Sequence, residues 1–328
     1  MNTIIITMGE PAGIGPEISL KAAVSAEINK ECIPVIIGDI GVLKQGLKIS
    51  SLEHVKLNEI KSHNDIVYEK DTINVFYPEL YRLKKTRFKA PDNSTALASF
   101  HYLEEAVRLV RSGLSNAIVT APISKDAWVN ADLPHSAHTE ALAVMTDTEK
   151  FGMIFVNPQI KVILVTRHVP IKDVSENINV HSLNQAMYIG IDFLNSLGYD
   201  KKNIGVCGLN PHAGDNGVLG KEEIAEIKPV IDKFISEDVR IIGPYSADSI
   251  FKKALDGNVD IVVAMYHDQG ILPLKVLSYY KCVNITHGLP FVRTSPGQGV
   301  ALDIAGKGIA NPESMIEAVT WANKLLCK

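Results

Sequence analysis

The sequence contains few cysteines, and no motif is built from them. Only 4 of the 328 residues are cysteine, and none of them is spaced as C-x-x-C from another. Neither a zinc ribbon nor a disulfide framework is therefore indicated. We expect the thiols to be reduced and to lie in the core of a cytoplasmic protein. They are Cys32, Cys207, Cys282 and Cys327.

Long hydrophobic runs and a leader segment are also missing. No apolar stretch approaches the roughly 18 residues that a membrane-spanning helix needs. The strand-like run 3–7 follows Met1 almost directly, without a positively charged stretch or a cleavage site. These absences predict a soluble, cytoplasmic protein with no membrane partner.

Charge of one sign is not in large excess either. Lys and Arg number 33 and Asp and Glu number 37, which gives a formal net charge of -4. No basic run is interleaved with aromatic residues, so nucleic acid is not expected as a partner. With 46% hydrophobic and 21% charged residues, the composition is typical of a globular protein.

Short β-rich runs alternate with helical patterns along the chain, as in TIIIT, IPVIIGD and NAIVTAP. This alternation predicts an α/β protein whose mostly parallel strands are covered on both faces. The runs FGMIFVN and KVILVTRH predict an antiparallel pair added at the edge of the sheet, which would make the sheet mixed. The clearest helix runs from about Ser94 to Ser112, with Asn93 or Ser94 as its cap. The chain is longer than most single domains, so its length predicts two domains.

Three histidines follow apolar runs that are typical of strands: His168 after KVILVTR, His212 after IGVCGLNP and His267 after IVVAMY. Ligands of open α/β sheets bind at the carboxyl ends of strands, so these positions are candidate site residues. Three converging imidazoles can hold Zn²⁺ or a similar divalent ion with a position open for substrate. The alternative is that each is a separate strand-end histidine bonded to backbone.

Further along, Lys275, Asn284 and Arg293 lie near predicted strand ends. An ammonium, an amide and a guanidinium suit a phosphate or carboxylate, although such residues can also be solvated surface groups. His138 and Thr139 open the run HTEALAV, where Thr139 can be a plain helix N-cap or can face an anion.

Two glycine-rich stretches, MGEPAGIGPE and PGQGVALDIAGKG, lie near the two ends of the chain. Neither matches the G-x-G-x-x-G of a dinucleotide site or the P-loop. By themselves they indicate only a tight turn or a close approach of the backbone to something else.

Taken together, the motifs resemble those of one family across essentially the whole chain. In order and approximate spacing they are similar to those of the 4-hydroxythreonine-4-phosphate dehydrogenases of vitamin B6 synthesis. The motifs are TMGEPAGIGPE, TAPISK, HTE, GLNPHAG, GPYSAD, YHDQG, VNITHGLP, RTS and ALDIAGKG. Separately, LDIAGKGIANPESM resembles the isocitrate and isopropylmalate dehydrogenases, which share that fold.

The resemblance implies a fold, a division into domains and an assembly. The fold would be two α/β/α domains with mostly parallel mixed sheets, like that of isocitrate and isopropylmalate dehydrogenase. The first domain would comprise residues 1–125 and 275–328, and the second residues 126–274. The active site would lie in the cleft between the domains, near the interface of a homodimer.

The resemblance also implies roles for the candidate residues. The metal ligands would be His168, His212 and His267. The phosphorylated substrate would be held by His138, Thr139, Lys275, Asn284 and Arg293. The cofactor would be contacted by Gln298, Gly299 and Asp303. Asp268 and Lys275 are the candidate catalytic residues, and Asp268 would either orient an imidazole or accept a proton.

The implied reaction is oxidation of the secondary hydroxyl of 4-phosphooxy-L-threonine by NAD or NADP, followed by loss of CO₂ to give 3-amino-2-oxopropyl phosphate. One divalent metal, zinc, magnesium or cobalt, would lower the pKa of the hydroxyl and polarise the new carbonyl. The segment Gly297-Gln298-Gly299 departs from the usual Asp-His-Gly of the family, which leaves the choice between NAD and NADP open.

Three other functions compete with this one. A branch of the same family oxidises 4-phospho-D-erythronate or 4-phospho-D-threonate in the breakdown of acid sugars, and its metal and phosphate contacts would be the same. A non-catalytic ligand-binding homologue would retain the scaffold without cofactor binding. A phosphate acyltransferase would share the α/β architecture but would leave the histidine set unexplained.

Overall fold

The computed structural model describes residues 1–77, 83 and 85–327. Its strands are, in chain order, β1 (Asn2–Thr7), β2 (Cys32–Ile37), β3 (Lys56–Ile60), β4 (Thr72–Phe76), β5 (Ala117–Thr120), β6 (Gly152–Val156), β7 (Lys161–Leu164), β8 (Lys202–Cys207), β9 (Val239–Tyr245), β10 (Ile261–Ala264), β11 (Val283–His287) and β12 (Val292–Pro296). Its α-helices are α1 (Gly15–Ala23), α2 (Ala26–Glu31), α3 (Ile40–Ile49), α4 (Asn93–Arg111), α5 (Lys125–Asn130), α6 (His138–Met145), α7 (Val174–Asn177), α8 (Val180–Ser196), α9 (Lys228–Ile231), α10 (Ala247–Leu255), α11 (His267–Ser278) and α12 (Glu313–Leu326). The predicted alternation of strands and helices is confirmed.

The chain divides into two compact units. Unit 1 comprises Met1–Glu149 and Leu289–Cys327, and unit 2 comprises Lys150–Gly288. Both junctions lie later in the chain than the predicted ones at residues 125 and 274. The helix α6 contacts α4 and so belongs to unit 1, while α11 and β11 contact strands of unit 2. The sequence motifs on these elements carried no information about which sheet they join.

In unit 1, six strands form a parallel array in the order β3-β4-β2-β1-β5-β12. The strand β1 is buried along its length apart from its first residue, which is expected for a parallel strand covered on both faces. The helix α4 contacts α5 and α6, while α1 contacts α2, α3 and α12. This grouping is the α/β/α arrangement that the alternating sequence predicted.

Unit 2 contains the mixed part of the architecture, in the order β11-β6-β7-β10-β8-β9. The predicted antiparallel pair is confirmed as β6 and β7, but β6 also pairs with β11, so the pair is not an edge addition. The strands β7, β10, β8 and β9 are parallel. Their carboxyl ends therefore meet on one side of the unit, which is where ligands of such sheets bind.

Alternating residues of the unit 2 strands face different helices. Val162 and Leu164 of β7 belong to a buried cluster with Ile250 of α10 and Leu274 of α11. Between them, Ile163 lies on the other side, against α8 at Gly190. Burial of apolar strands on both faces is what fixes the helices of this unit.

Two local predictions are wrong in their details. The N-cap of α4 is Asp92, whose carboxylate accepts hydrogen bonds from the backbone N–H groups of Ser94 and Thr95. An ionised carboxylate is the stronger acceptor and takes the cap one position before Asn93. Among the cysteines, Cys327 is exposed, because it lies just after the last helix; Cys32, Cys207 and Cys282 are buried.

Burial also keeps the three internal thiols protonated. It raises the pKa of Cys32 and of Cys207 to about 12, and that of Cys282 to about 11. Buried thiols of this kind are unreactive because the nucleophilic form is the thiolate. Among the helices that the described residues form, none has the length and apolarity to cross a membrane.

Candidate active site

Two of the predicted histidines lie side by side in unit 2. His168 follows β7 and His267 is the first residue of α11, directly after β10. Because β7 and β10 are neighbouring parallel strands, the segments that follow them emerge together. The centroids of the two imidazole rings are 6.2 Å apart. Thr166 ties the segments, since its hydroxyl donates a 2.7 Å hydrogen bond to the carbonyl oxygen of Met265.

The orientation of the His267 ring is set by its sequence neighbour. Its Nδ1 is 2.7 Å from Oδ1 of Asp268. An ionised carboxylate can only accept, so Nδ1 is the donor of this bond, and in the neutral ring Nε2 then keeps its lone pair. This is the tautomer in which an imidazole can ligate a metal ion through Nε2.

Both rings line a groove of unit 2 with a volume of about 670 Å³. Asp268, Tyr266 and Arg167 are among its other lining residues. The guanidinium of Arg167 lies over the ring of Phe151, with Cζ 5.0 Å from the ring centroid. The groove therefore combines two imidazoles, a carboxylate and a cation at the carboxyl ends of two strands.

His212 lies elsewhere in unit 2, in the turn that follows β8. It is exposed and has a positive φ of 53°. The pKa of Asp248, at the start of α10, is lowered chiefly by a hydrogen bond from the side chain of Ser246, and His212 contributes to this shift. Within residues 1–77, 83 and 85–327, no three His, Cys, Asp or Glu side chains are grouped as a metal-ligand set. The structure thus brings His168 and His267 together but does not bring His212 to them.

The histidine pair fits a divalent ion. A metal bound at about 2.0–2.1 Å from an imidazole nitrogen lies roughly 3 Å from the ring centroid. The 6.2 Å between the centroids of His168 and His267 is close to the largest separation at which two imidazoles share one ion. A ring nitrogen that binds a metal ion must carry no proton. In neutral His267 the proton lies on Nδ1, so Nε2 can bind the ion.

In unit 1, Arg293 is a buried cation at the centre of the predicted anion site. It lies on β12 and is 3% exposed, and its Nη2 donates a 2.7 Å hydrogen bond to Oγ1 of Thr120 on β5. Burial lowers the pKa of the guanidinium to about 10, and the charge of Glu140 opposes this effect. The group remains charged at neutral pH, and a charge buried in this way is stabilised by an anionic ligand.

His138 accompanies Arg293. It is 8% exposed and packs edge-on against Trp128, with 5.6 Å between ring centroids. Burial, with smaller contributions from the charges of Arg293 and Lys125, holds the pKa of His138 well below its usual range. Among the described residues, its buried Nε2 has no hydrogen-bond partner. An unpaired buried polar atom next to a buried cation marks a place where a ligand completes the structure.

Thr139 is not the N-cap that the sequence allowed. The helix α6 begins at His138 and its N-cap is Ala137, which provides no side-chain cap. Thr139 lies in the first turn, buried, where the free backbone N–H groups of a helix favour an anion. The anion-facing alternative for Thr139 is therefore the one that stays open.

The other two predicted substrate residues belong to unit 2. Lys275 lies on α11, with Nζ 5.4 Å from the ring centroid of Tyr279. Asn284 lies on β11 and is 9% exposed, and within the described part of the chain its buried Oδ1 has no hydrogen-bond partner. These residues remain candidates for holding a polar ligand.

The predicted cofactor residues lie in the loop after β12, in unit 1. Nε2 of Gln298 donates a 3.3 Å hydrogen bond to the carbonyl oxygen of Asn311, while Gly299 faces open space and Asp303 is exposed. The two glycine-rich stretches meet here, because the N–H of Ile14 donates to the carbonyl oxygen of Val300 over 3.1 Å. They form one substructure at the end of the parallel strands, although the sequence alone did not connect them.

The buried carboxylate of Glu17 holds this substructure in place. One of its oxygens accepts hydrogen bonds from Nζ of Lys21 and from the backbone N–H of Ala310, both at 2.7 Å. Lys21 also donates to the carbonyl oxygens of Gly308 and Ala310. The loop that would contact the cofactor is thereby fastened to α1.

Several site residues were missed by the reasoning from sequence. Thr120 and Lys125 are the first and last residues of the TAPISK motif, which was recognised as a motif but not divided into roles. Arg167 directly precedes His168, and Asp248 belongs to the GPYSAD motif. Their positions after strands were the available signal, since polar residues there point toward ligands.

Comparison with known proteins agrees with this geometry. The profile of the family described as "Pyridoxal phosphate biosynthetic protein PdxA" matches residues 30–322. A 4-hydroxythreonine-4-phosphate dehydrogenase of Sulfurihydrogenibium sp. is 40% identical over 98% of this chain and 98% of its own length. A D-threonate 4-phosphate dehydrogenase of Cupriavidus necator is 38% identical over 98% of this chain and 96% of its own length.

A solved structure gives the same result. The 4-hydroxythreonine-4-phosphate dehydrogenase of Klebsiella pneumoniae is 34% identical and covers 100% of this chain and 98% of its own, with a TM-score of 0.89. Fold, motifs and sequence similarity extend over the same length of the molecule. The chain therefore belongs to the PdxA family of pyridoxal phosphate biosynthetic proteins.

Proposed function

We propose that the chain is a metal-dependent 4-hydroxythreonine-4-phosphate dehydrogenase that uses NAD or NADP. The observation that carries the proposal is the groove of unit 2, where His168 and His267 lie together and Asp268 fixes the tautomer of His267. The names of the relatives supply the reaction class, and the groove supplies donors for the metal that such a reaction uses.

Each unit contributes one part of the chemistry. In unit 2, His168 and His267 would hold a divalent ion, with His212 as the third predicted ligand and Asp268 orienting a ring. In unit 1, Arg293 would bind the phosphate through its planar donor group. The neutral His138 would donate or accept one hydrogen bond through Nε2.

The remaining residues complete substrate and cofactor binding. Lys275 and Asn284 would add a point charge and an amide to the substrate site, and Lys275 stays a candidate catalytic residue. The open backbone at Gly299, flanked by Gln298 and Asp303, would let a nicotinamide cofactor approach closely. When bound, zinc, magnesium or cobalt supplies a Lewis acid for the substrate oxygen, and the nicotinamide supplies the hydride acceptor.

One observation favours the second candidate, a D-threonate 4-phosphate dehydrogenase. The guanidinium of Arg167 adds a positive charge to the groove that contains the histidine pair. The two substrates differ in an ammonium, present in phosphothreonine, and a hydroxyl, present in phosphothreonate. A nearby cation disfavours the ammonium and has no such effect on the hydroxyl.

The first test is a dehydrogenase assay of the metal-supplemented protein. We expect NADH or NADPH to form from 4-phosphooxy-L-threonine, and formation to stop when a chelator removes the metal. The same assay is run with 4-phospho-D-threonate and 4-phospho-D-erythronate, each with NAD and NADP. Turnover of the sugar acids alone would select the second candidate. Absence of turnover with every substrate would contradict both and favour a ligand-binding homologue.

We also infer that the chain forms a homodimer through the exposed face of α11 and the turn after it. Five large apolar side chains are exposed there: Leu272, Val276, Leu277, Tyr279 and Tyr280. Several exposed apolar side chains on one short segment are typical of an interaction surface. The same helix begins with His267 and carries Lys275, so a second copy bound there would lie next to candidate site residues.

The substitution Val276→Asp tests this interface. Val276 is 83% exposed, so the change should not disturb the fold, whereas a charge buried between two chains is costly. We expect the mass measured by light scattering to fall from that of two chains to the 35.8 kDa of one.

The matched control is Val129→Asp, which places the same charge at a valine that is 59% exposed on α5. This control should keep the mass of the parent protein. A dimeric Val276→Asp variant, or a parent protein that is already monomeric, would refute the interface.

A further inference from the structure

The turn that carries His212 has an unusual backbone. The six consecutive residues from His212 to Gly217 all have positive φ: 53°, 52°, 79°, 43°, 56° and 91°. Only Gly214 and Gly217 among them are glycine, so four side chains are held in the left-handed region. Such a run is costly for L-residues and persists only where surrounding contacts determine it.

The carboxylate of Glu223 packs against this turn. This side chain is 3% exposed and begins the helical segment Glu223–Ile227. Its Oε1 accepts a 2.8 Å hydrogen bond from the backbone N–H of Asn210, and its Oε2 accepts one of 3.0 Å from Nδ2 of the same residue. Asn210 lies two residues before His212, and its carbonyl oxygen accepts a hydrogen bond from the N–H of Ala213.

Close packing leaves no alternative position for this carboxylate. A Cβ added to Gly214 would lie 2.6 Å from Oε2 of Glu223. A Cβ added to Gly208 would lie 2.7 Å from the Cα of Ala213 and 3.1 Å from Oε1 of Glu223. The two glycines let the backbone wrap around the buried carboxylate, which therefore fills the inside of the turn.

The neighbouring carboxylate links the turn to the groove. One oxygen of Glu222 accepts a 2.8 Å hydrogen bond from Nδ2 of Asn210, and the other accepts a 2.6 Å bond from the hydroxyl of Ser175 on α7. The first residue of α7, Val174, lines the groove of the histidine pair. Asn210 thus donates hydrogen bonds to two carboxylates. Glu223 packs inside the turn of His212, and Glu222 is also bonded to Ser175 beside the groove.

We propose that Glu223 is a positioning residue for His212: through Asn210 it holds the left-handed turn that presents this imidazole. The inference rests on the proposed function, because it takes His212 as a metal ligand. Glu223 touches neither substrate nor metal in this role. It acts by keeping the backbone at His212 in a conformation that the residues of the turn would not adopt by themselves.

The test is Co²⁺ binding by the full-length Glu223→Gln variant. The amide keeps the size of the side chain but offers only one acceptor oxygen, so one of the two bonds to Asn210 is lost. We expect the affinity for Co²⁺, measured by calorimetry, to fall by at least about 10-fold, as for other residues that orient metal ligands. The visible absorption of bound Co²⁺ should change as well, because the spectrum reports the ligand arrangement, which general destabilisation would not alter.

Two variants make the comparison specific. Glu226→Gln removes the same charge from the same helical segment and should bind Co²⁺ as the parent protein does. Asn210→Ala removes the side-chain bonds while leaving the backbone N–H, and we expect it to weaken Co²⁺ binding in the same direction. Asn210→Ala carries the test if Glu223→Gln does not fold, as judged by circular dichroism.

His212→Ala separates failure of the positioning role from failure of the proposed metal site. Unchanged Co²⁺ binding by His212→Ala would refute the metal-site assignment of His212, and the positioning role with it. Weakened binding by His212→Ala, together with a Glu223→Gln variant that matches Glu226→Gln in affinity and spectrum, would overturn the positioning role alone.

Discussion

Replacing Arg293 by alanine is expected to lower kcat/KM for the phosphorylated substrate by about 10²- to 10³-fold, equivalent to about 3–4 kcal/mol. The guanidinium is 3% exposed and bonded to Thr120, so it is already oriented before substrate arrives. Its removal would leave the phosphate without its planar donor next to His138. Initial rates over a range of substrate concentrations measure the effect, which should appear mainly in KM if the contact is equal in ground and transition states.

A binding measurement gives an independent check on this role. Inorganic phosphate should raise the melting temperature of the parent protein and should not raise that of Arg293→Ala. Arg293→Lys keeps the charge but loses the planar donor group of the guanidinium. We expect phosphate to raise the melting temperature of this variant by an intermediate amount. The exposed Arg108, paired with Glu105 on α4, provides the control Arg108→Ala, which should behave as the parent protein. An unchanged kcat/KM in Arg293→Ala would exclude Arg293 from the substrate site.

Replacing His267 by alanine is expected to remove the metal site. His267 has the tautomer that a ligand needs, fixed by Asp268 at 2.7 Å, and it faces His168 across the groove. We expect Asp268→Asn to weaken Zn²⁺ or Co²⁺ binding about 10-fold, and His267→Ala to weaken it by more than about 100-fold. Titration of the metal-free protein measures both affinities, and activity with the metal restored should follow the same order.

The chain offers a closely matched control for this pair. His287 on β11 is also bonded to an aspartate, with Nε2 2.8 Å from Oδ2 of Asp192, but it is not among the proposed ligands. His287→Ala and Asp192→Asn should leave metal affinity unchanged. Equal losses from the two histidine–aspartate pairs would mean that any such pair affects stability, and the assignment of His267 would then have no support.

Most of the fold could be predicted because it depends on the alternation of apolar strands with helices. The strand β2 is apolar along its whole length and β1 is apolar at its centre, over residues 4–6, and burial on both faces explains such runs. The division into units was harder to predict. The helix α6 and the strand β11 are assigned by the elements they contact, and those contacts join segments far apart in sequence.

The site was predictable where a residue's role follows from its position at a strand end. His168 and His267 belong to this class, whereas Arg293 was expected near a strand end and lies near the start of β12. The turn of His212 was not predictable, because four of its six residues with positive φ are not glycine, and no local preference indicates such a conformation. Glu223, which follows the turn in sequence and accepts hydrogen bonds from Asn210, looks in the sequence like an ordinary charge on a helix.

The sheet of unit 1 includes β12, a strand that the ribosome synthesises late. The chain enters unit 1 first, then builds all of Lys150–Gly288, and only afterwards adds β12 beside β5 and α12 against β1 and β5. During synthesis, unit 2 is therefore complete while β5 still has an unpaired edge, which is a hazard for association with other chains. Because the β5–β12 pairing joins segments far apart in sequence, we expect closure of unit 1 to come late in folding, and a chain that ends before residue 292 would leave the edge of β5 without this partner strand.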